Sequence, residues 1–457
     1  MVLRRQDLST IVDWLAEELS KQYYSEGQKW LLFKLGSFIV EQGEHNISED
    51  RDMVTALVLA GGRGKRMDLL CYLRPKPALP FAGKLHVIDF SLSNCIHSQV
   101  KNIAVLVDYQ RNYMTDYLRD WAIANSGSVI ISVLPPAVGS YTGTADSVYR
   151  NLSYLSEQLD KNVLILAGDH VYRMDYRKML GFHEKVQADV TVGVMRVPIE
   201  EANRFGTVVV DKESKIQEFT EKSPSPLSNL ASMGIYIFNK DILSDRLNED
   251  AGIQNSLHDF GYSILPNIVK RDRVFAYEFS GYWQDIGTVE AYYQANMELL
   301  VPRPRFSLDS NWPVLSDYDA LPVPEQSKDG KVVNSLISPG CVIKGYVENS
   351  ILSPGVQVEE HAVITNSIVM ANTHVGYHSV VNTSIVDETV EIGRLCYVGF
   401  GKSLLPEDLA ITVIGKDVVI PNHTAIGRRC KILPRAGLSD FAGGVVPSGT
   451  IIRVGAP

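Results

Sequence analysis

The sequence predicts an α/β protein: a mainly parallel, doubly wound sheet followed by a parallel β-helix, with a short helical segment ahead of both. Three observations carry this expectation. Strand-like apolar runs at Val54–Ala60, Ile103–Val107, Val129–Leu134, Val163–Ala167 and Val190–Met195 alternate with helical stretches such as Val87–Ser98 and Thr144–Leu155, the pattern of a parallel sheet with crossover helices. Further on, one phrase recurs as Asn334-Ser-Leu-Ile, Asn349-Ser-Ile-Leu, Asn366-Ser-Ile-Val and Thr383-Ser-Ile-Val at spacings of 15, 17 and 17. Near the start, Leu8, Ile11, Val12, Leu15 and Leu19 recur at helical spacing, as on an amphipathic helix.

At 457 residues the chain exceeds the usual size of a single core, so several domains are expected. Residues 1–52 read as a helical extension, with a second apolar stretch at Trp30–Val40 and a polar run to Asp52. It either packs on the main domain of its own chain or serves subunit contact or regulation. Residues 53–300 read as the α/β domain, whose first strand, Val54–Ala60, is apolar enough to be buried on both faces. The Pro-rich residues 301–330 form the linker. Residues 331–457 form the β-helix: aliphatic residues such as Val342, Val358 and Val375 point inward, Gly or Pro marks the corners, and later turns resume at Ile414–Ile420 and Thr424–Ile432.

The net charge of −9 is spread along the chain with no long Lys/Arg run, which argues against a nucleic-acid partner. The five cysteines at 71, 95, 341, 396 and 430 are scattered and form no disulfide framework, so a reducing cytoplasm fits best. Trp30–Val40 is too short and too interrupted to span a bilayer, and no membrane association is expected.

Chemistry is concentrated where the first strand runs into Gly61-Gly62-Arg63-Gly64-Lys65-Arg66. Glycines let backbone N–H groups curl around phosphate oxygens, and the cations add charge-assisted hydrogen bonds. The loop lacks the Gly-Lys-[Ser/Thr] ending of a Walker A motif, and a plain tight turn is the alternative reading. Lys76 follows between Pro75 and Pro77, a fixed cation beside a phosphate loop.

Together with Ile88-Asp-Phe-Ser-Leu-Ser-Asn-Cys95, the GGRGKR and PKPALPFAGK phrases closely resemble the ADP-glucose pyrophosphorylase family. So do Tyr141-Thr-Gly-Thr-Ala-Asp146, Leu166-Ala-Gly-Asp-His-Val-Tyr172, Phe219-Thr-Glu-Lys222, Ala231-Ser-Met-Gly-Ile-Tyr236, His258-Asp-Phe-Gly261 and Tyr282-Trp-Gln-Asp-Ile-Gly-Thr288, in the family's order. The resemblance covers everything after about the first fifty residues. It implies a Rossmann-like nucleotidyltransferase domain with a left-handed β-helix, a homotetramer, and transfer of an adenylyl group from ATP to glucose 1-phosphate for glycogen or a related α-glucan. It further implies that Arg63 and Lys76 hold the triphosphate, that Glu221 and Lys222 meet the sugar phosphate, and that Ser232 and Tyr236 line the glucose pocket. Gly61, Gly62, Gly64, Tyr141, Gly143, Thr144 and Gly168 complete the substrate-binding set. Asp169, after the strand Val163–Ala167, and the distant Asp285 offer hard oxygen ligands suited to Mg2+, a helix cap being the bland alternative for either.

The chain departs from the family pattern at Pro75, Ser140 and Ser223, and from the enterobacterial members at Leu73, Asp108, Thr142 and Tyr262. Leu73 replaces a cation, so a response to fructose 1,6-bisphosphate is not carried over. Arg428, Arg429, Lys431 and Arg435 are a candidate site for an anionic sugar-phosphate effector. Two further readings stay open: a nucleotidylyltransferase using another nucleotide or sugar phosphate, and a noncatalytic regulatory subunit.

Overall fold

A computed structural model describes residues 54–125, 127, 129–308, 310–317, 322–401, 409–441 and 443–455. The expected helical extension of residues 1–52 lies outside the described residues. Thr55–Pro457 packs as one compact unit.

Its first part is built on a nine-stranded sheet. The apolar runs form β1 (Val54–Leu59), β2 (Asn102–Leu106), β3 (Ile130–Leu134) and β4 (Asn162–Ala167), followed by a short β5 (His170–Tyr172), β6 (Val190–Arg196), β7 (Gly206–Val210), β8 (Ile216–Glu221), β9 (Leu230–Asn239) and β10 (Val274–Glu278). The order is β8-β7-β9-β4-β1-β2-β3, with β6 joining β9 to β10. β1, β2 and β3 run parallel, as do β6 and β10. The ten-residue β9 runs antiparallel to β4 and β6, so the sheet is mixed at the half that the apolar runs did not reveal. Helix Val87–His97 forms where expected, whereas the expected Thr144–Leu155 helix is two short ones, Thr144–Tyr149 and Leu152–Glu157.

From Glu325 the chain winds into three sheets of six, seven and seven short parallel strands. The recurring phrase has a structural cause. Asn334, Asn349, Asn366 and Thr383 turn the corners with φ of 42°, 46°, 46° and 46°, a region that Asn tolerates better than most residues. The serine after each stacks on the one in the coil before: Ser350, Ser367 and Ser384 donate their N–H to the preceding serine Oγ at 3.1, 3.1 and 3.2 Å. Inside, Val342's neighbour Ile343, then Val358, Val375 and Ile392 stack as a buried aliphatic ladder.

One face of the β-helix is not a solvent face. Ile368, Met370, Ile385 and Val413 share a core with Met67, Phe81, Phe90 and Tyr292 of the α/β part. Burial of such side chains contributes about 1.5–3 kcal/mol each, so the two parts stabilise one another. The Pro-rich segment also packs: Phe306 is buried in the same core, and Trp312 Nε1 donates to Asn94 Oδ1 at 3.0 Å.

Candidate active site

Two antiparallel strands bring the two candidate carboxylates together. At the end of β4, Gly168 turns against β1, its N–H donating to Leu59 O at 3.1 Å, and a Cβ there would stand 3.0 Å from Val58 Cγ1. That turn delivers Asp169. β11 (Trp283–Asp285) then pairs with β5 so that Asp285 lies opposite His170. Pro75 and Pro77 restrict the loop between them, and Lys76, only 5% exposed, reaches both acids. Its Nζ lies 2.9 Å from Asp169 Oδ2 and 3.1 Å from Asp285 Oδ1. Burial opposes both charges, but Lys76 and His170 outweigh it at Asp169 and hold that carboxyl well below the usual carboxylate range. The same two carboxylates overcome burial at Lys76 and push its amine up.

Two further side chains, His170 and Arg204, join this group, and no motif in the sequence marks either as a site residue. His170 Nε2 stands 3.5 Å from Asp169 Oδ1 and 4.0 Å from Asp285 Oδ1, with its ring edge-on to Trp283 at 5.2 Å. Arg204 Nη2 lies 3.8 Å from Asp285 Oδ2; nothing near it in sequence marks it, because only the start of β7 brings it there.

The Gly-rich loop sits beside this centre. Gly64, at φ 64°, could not carry a Cβ without coming within 3.0 Å of Lys76 Cβ and Cys71 Sγ, so the loop and Lys76 are in mutual contact. Gly61 abuts Asp108, with a Cβ to Cβ approach of 3.1 Å, while Gly62 faces open space. Arg63 is exposed, its guanidinium 5.2 Å from the Tyr109 ring centre. Arg63 and Lys76 therefore sit differently, one on the surface and one buried between acids.

The candidate sugar residues gather at the end of β8. Glu221 Oε1 pairs with Lys222 Nζ at 2.8 Å, and Lys222, at φ 45°, holds its N–H to Phe205 O at 3.0 Å. Two glycines make room for the carboxylate: a Cβ on Gly206 or Gly261 would approach Glu221 Oε2 to 2.5 Å. Lys222 Nζ also lies 5.7 Å from the Tyr262 ring centre, so the tyrosine at this departure position contacts the candidate sugar-phosphate lysine. On β9, Gly234 at φ 67° sits at a register shift between Ser232 and Ile235. The shift brings β9 against the Asp169 turn, Gly234's Cβ position being 3.3 Å from Ala167 Cβ. Ser232 and Tyr236 are buried, Ser232 Oγ accepts from Gly234 N–H at 3.4 Å, and burial pushes the Tyr236 phenol up.

The Tyr141–Thr144 loop is tied down by its neighbours. Tyr141 N–H donates to Asp108 Oδ2 at 3.0 Å and Thr142 N–H to Asp146 Oδ2 at 2.8 Å. Gly143 passes so close to His258 O that a Cβ would meet it at 2.3 Å. Thr144 Oγ1 donates to Asp259 Oδ2 at 2.9 Å and accepts from Phe260 N–H at 3.0 Å, so the Tyr141 and His258 phrases meet in the fold. Three of the basic residues of the β-helix each have a partner of their own: Lys431 Nζ pairs with Asp68 at 2.5 Å, Arg428 Nε donates to Gly401 O at 2.6 Å, and Arg435 lies 3.9 Å from Asp417.

Among the described residues no group of three or more His, Cys, Asp or Glu could hold a metal by itself. Two carboxylates converging on one cation do fit an ion that takes its other ligands from water and substrate phosphates, as a hard divalent metal does.

Both parts of the chain are similar to known proteins. Residues 55–301 match the nucleotidyl transferase family, and residues 321–404 match the GlmU-like C-terminal hexapeptide family, in keeping with left-handed coils. The glucose-1-phosphate adenylyltransferase of Thermomicrobium roseum is 41% identical over 423 residues, covering 88% of this chain and 97% of its own. That of Acetivibrio thermocellus is 40% identical over 403 residues, 85% of this chain and 95% of its own. That of Pseudothermotoga lettingae is 42% identical over 414 residues, 87% and 98% respectively.

Proposed function

The chain belongs to the nucleotidyl transferase family, among the glucose-1-phosphate adenylyltransferases, and we propose that it transfers the adenylyl group of ATP to α-D-glucose 1-phosphate, giving ADP-glucose and pyrophosphate for glycogen or a related α-glucan. The observation that carries this reading is Lys76 between Asp169 and Asp285, beside a Gly-rich loop.

The sugar phosphate is an anion at neutral pH, so its oxygen attacks the α-phosphorus without first losing a proton. A bond forms between that oxygen and the α-phosphorus, and the bond to the bridging oxygen breaks, its electron pair leaving with pyrophosphate. The protein's work is positioning and charge neutralisation. Lys76 and Arg63 stabilise the negative charge growing on the departing pyrophosphate, and the backbone N–H groups of Gly61, Gly62 and Gly64 cradle the phosphates. Lys222 pairs with the sugar phosphate. Glu221, held between Gly206 and Gly261, accepts from sugar hydroxyls, and Ser232 and Tyr236 line that pocket. Asp169 and Asp285 would hold a divalent ion, which we take to be Mg2+, supplying charge neutralisation between the two reacting phosphates. Arg204, 3.8 Å from Asp285, orients that carboxylate.

The remaining parts of the proposal have separate support. Residues 53–300 act as the catalytic domain and 331–457 as the β-helix domain, joined by 301–330, with residues 1–52 as an extension ahead of them. Outward residues Tyr346, Val363, Val380, Tyr397, Ala425 and Val445 align across successive coils, an apolar row that supports association into a homotetramer. All five cysteines are unpaired and buried, which supports the cytoplasm, and among the described residues no helix is long and apolar enough to cross a membrane. An anionic sugar-phosphate effector would meet the cations at Arg428, Arg429, Lys431 and Arg435.

Asp169→Asn tests the assignment. It keeps the size of a side chain that is 35% exposed, so the protein stays folded, and turnover falls by about 100- to 1000-fold. A near-normal turnover number would remove Asp169 from the mechanism.

A further inference from the structure

Arg74 is two residues from Lys76, yet it is 1% exposed and reaches away from the candidate active site into the β-helix. Its Nη2 lies 2.5 Å from Asp387 Oδ1 and 3.4 Å from Glu388 Oε2, and its Nη1 lies 3.8 Å from Met370 Sδ. The acids that receive it are themselves fixed by neighbouring coils. Asp387 N–H donates to Ile414 O at 2.9 Å, Asp387 O accepts from Thr373 Oγ1 at 2.8 Å, and Lys416 Nζ pairs with Glu388 Oε2 at 2.7 Å. Two cations thus meet two carboxylates in a buried, balanced cluster spanning both parts of the unit.

A buried ion pair is weak evidence of a stabilising role, because well-packed apolar residues of similar volume often serve stability as well. What this one adds is direction. Between Arg74 and Lys76 stands only Pro75, and Pro77 follows; each ring restricts φ. Ala78 N–H to Pro75 O and Leu79 N–H to Lys76 O, both 3.0 Å, close a tight turn. Few soft backbone torsions therefore remain between the Cα atoms of Arg74 and Lys76, and the two side chains, each pinned at its far end by buried acids, spring from one restricted segment. We propose that Arg74 is a positioning residue: the β-helix, through Asp387 and Glu388, sets where Lys76 stands in the active site. The consequence for catalysis rests on the function proposed above, whereas the positioning itself does not.

Removing both charges together, as Arg74→Met with Asp387→Leu, avoids stranding either one and leaves the Glu388–Lys416 pair in place. The full chain is treated with an amine-acylating reagent, and modification of Lys76 is followed by peptide mass spectrometry against the half-exposed Lys222 as internal reference. The double variant is expected to keep its thermal unfolding transition while Lys76, 5% exposed in the wild-type protein, reacts on the order of tenfold faster as its amine leaves its buried place between the two acids. Unchanged protection of Lys76 would overturn the proposal. Should this variant not fold, Arg74→Lys, which keeps the charge and loses the planar fork, is read in the same way. A kinetic arm separates the two claims. With ATP and glucose 1-phosphate, the double variant loses turnover on the order of 100-fold, as for a misplacement of about 1 Å, and adding Lys76→Met brings no further loss. Losses that multiply instead would mean Arg74 does not act through Lys76. If Lys76 becomes reactive while the wild-type protein turns over no substrate, the positioning stands and the functional reading fails.

Discussion

Gly261→Ala separates the sugar side of the site from the nucleotide side. A Cβ at 261 would stand 2.5 Å from Glu221 Oε2, 2.8 Å from Cδ and 3.3 Å from Cγ. Ordinary contact begins near 3.4 Å, so the carboxylate must retreat by about 1 Å. The backbone at 261 does not have positive φ, and the displaced group is the tip of a flexible side chain, so the fold is little affected: the expected change in stability is under about 1 kcal/mol. The functional cost is larger, because a shift of about 1 Å in a positioned group can remove about 100-fold of rate. The account expects kcat/KM for glucose 1-phosphate to fall by roughly that factor while KM for ATP stays near its wild-type value. Steady-state kinetics varying each substrate at saturating levels of the other, with a thermal unfolding curve alongside, measures both. An unchanged KM and kcat for glucose 1-phosphate would refute the placement of Glu221 against the sugar, and a matching rise in the ATP KM would mean that Gly261 supports the whole cleft rather than one side.

Two further predictions concern the scaffold. His183 is buried with Nδ1 2.8 Å from Thr191 Oγ1, and burial lowers its pKa to about 4, against a raising effect from Asp189 and a lowering one from Arg273. A depressed histidine pKa means that the unfolded chain takes the proton first, so its stabilising contribution is complete above pH 6.5 and is lost as pH falls from 6.5 towards 4. Relative to His183→Asn, the wild-type protein should therefore lose about 2 kcal/mol of stability between pH 6.5 and 5; parallel urea-denaturation profiles of the two proteins at these pH values would contradict this. Ser367 accepts from Ser384 N–H at 3.2 Å and donates to Thr365 O at 2.7 Å, fully buried. Ser367→Ala should cost about 1–3 kcal/mol by leaving that backbone N–H without its acceptor, whereas a calorimetric change near zero would show that the serine stack is dispensable.

Much of the fold was legible because its signals are local. Buried parallel strands read as apolar runs, and the β-helix declared itself in the Asn-Ser-Ile phrase, where the Asn turns the corner and the Ser joins successive coils. β9 was not legible as the strand that splits the sheet, since Ala231-Ser-Met-Gly-Ile-Tyr236 carries a Gly-centred register shift in place of simple alternation. The Pro-rich stretch reads as a linker by composition, but composition does not show that Phe306 is buried against helix Val87–His97 or that Trp312 hydrogen-bonds to Asn94 of that helix.

The candidate site was legible through motifs with fixed spacing, Asp169, Lys76 and Asp285 foremost. Their mutual contact was not, because β11 must pair with β5 before residues 93 and 209 positions from Lys76 can meet it. Arg204 and Arg74 escaped for the same reason. Each acts through a partner distant in sequence, Asp285 for one and Asp387 with Glu388 for the other, and neither lies in a pattern that spacing reveals.

The central claim is that this centre joins ATP to glucose 1-phosphate. The most direct test is pyrophosphate release by the purified full chain with Mg2+ and glucose 1-phosphate, offered ATP, UTP, GTP, CTP and dTTP separately, with and without sugar-phosphate effectors. The account predicts release with ATP well above every other nucleotide, with ADP-glucose as the second product. Preference for another nucleotide would contradict the proposed substrate, and no release from a folded protein under any of these conditions would contradict the proposal of an enzyme and favour a noncatalytic regulatory subunit.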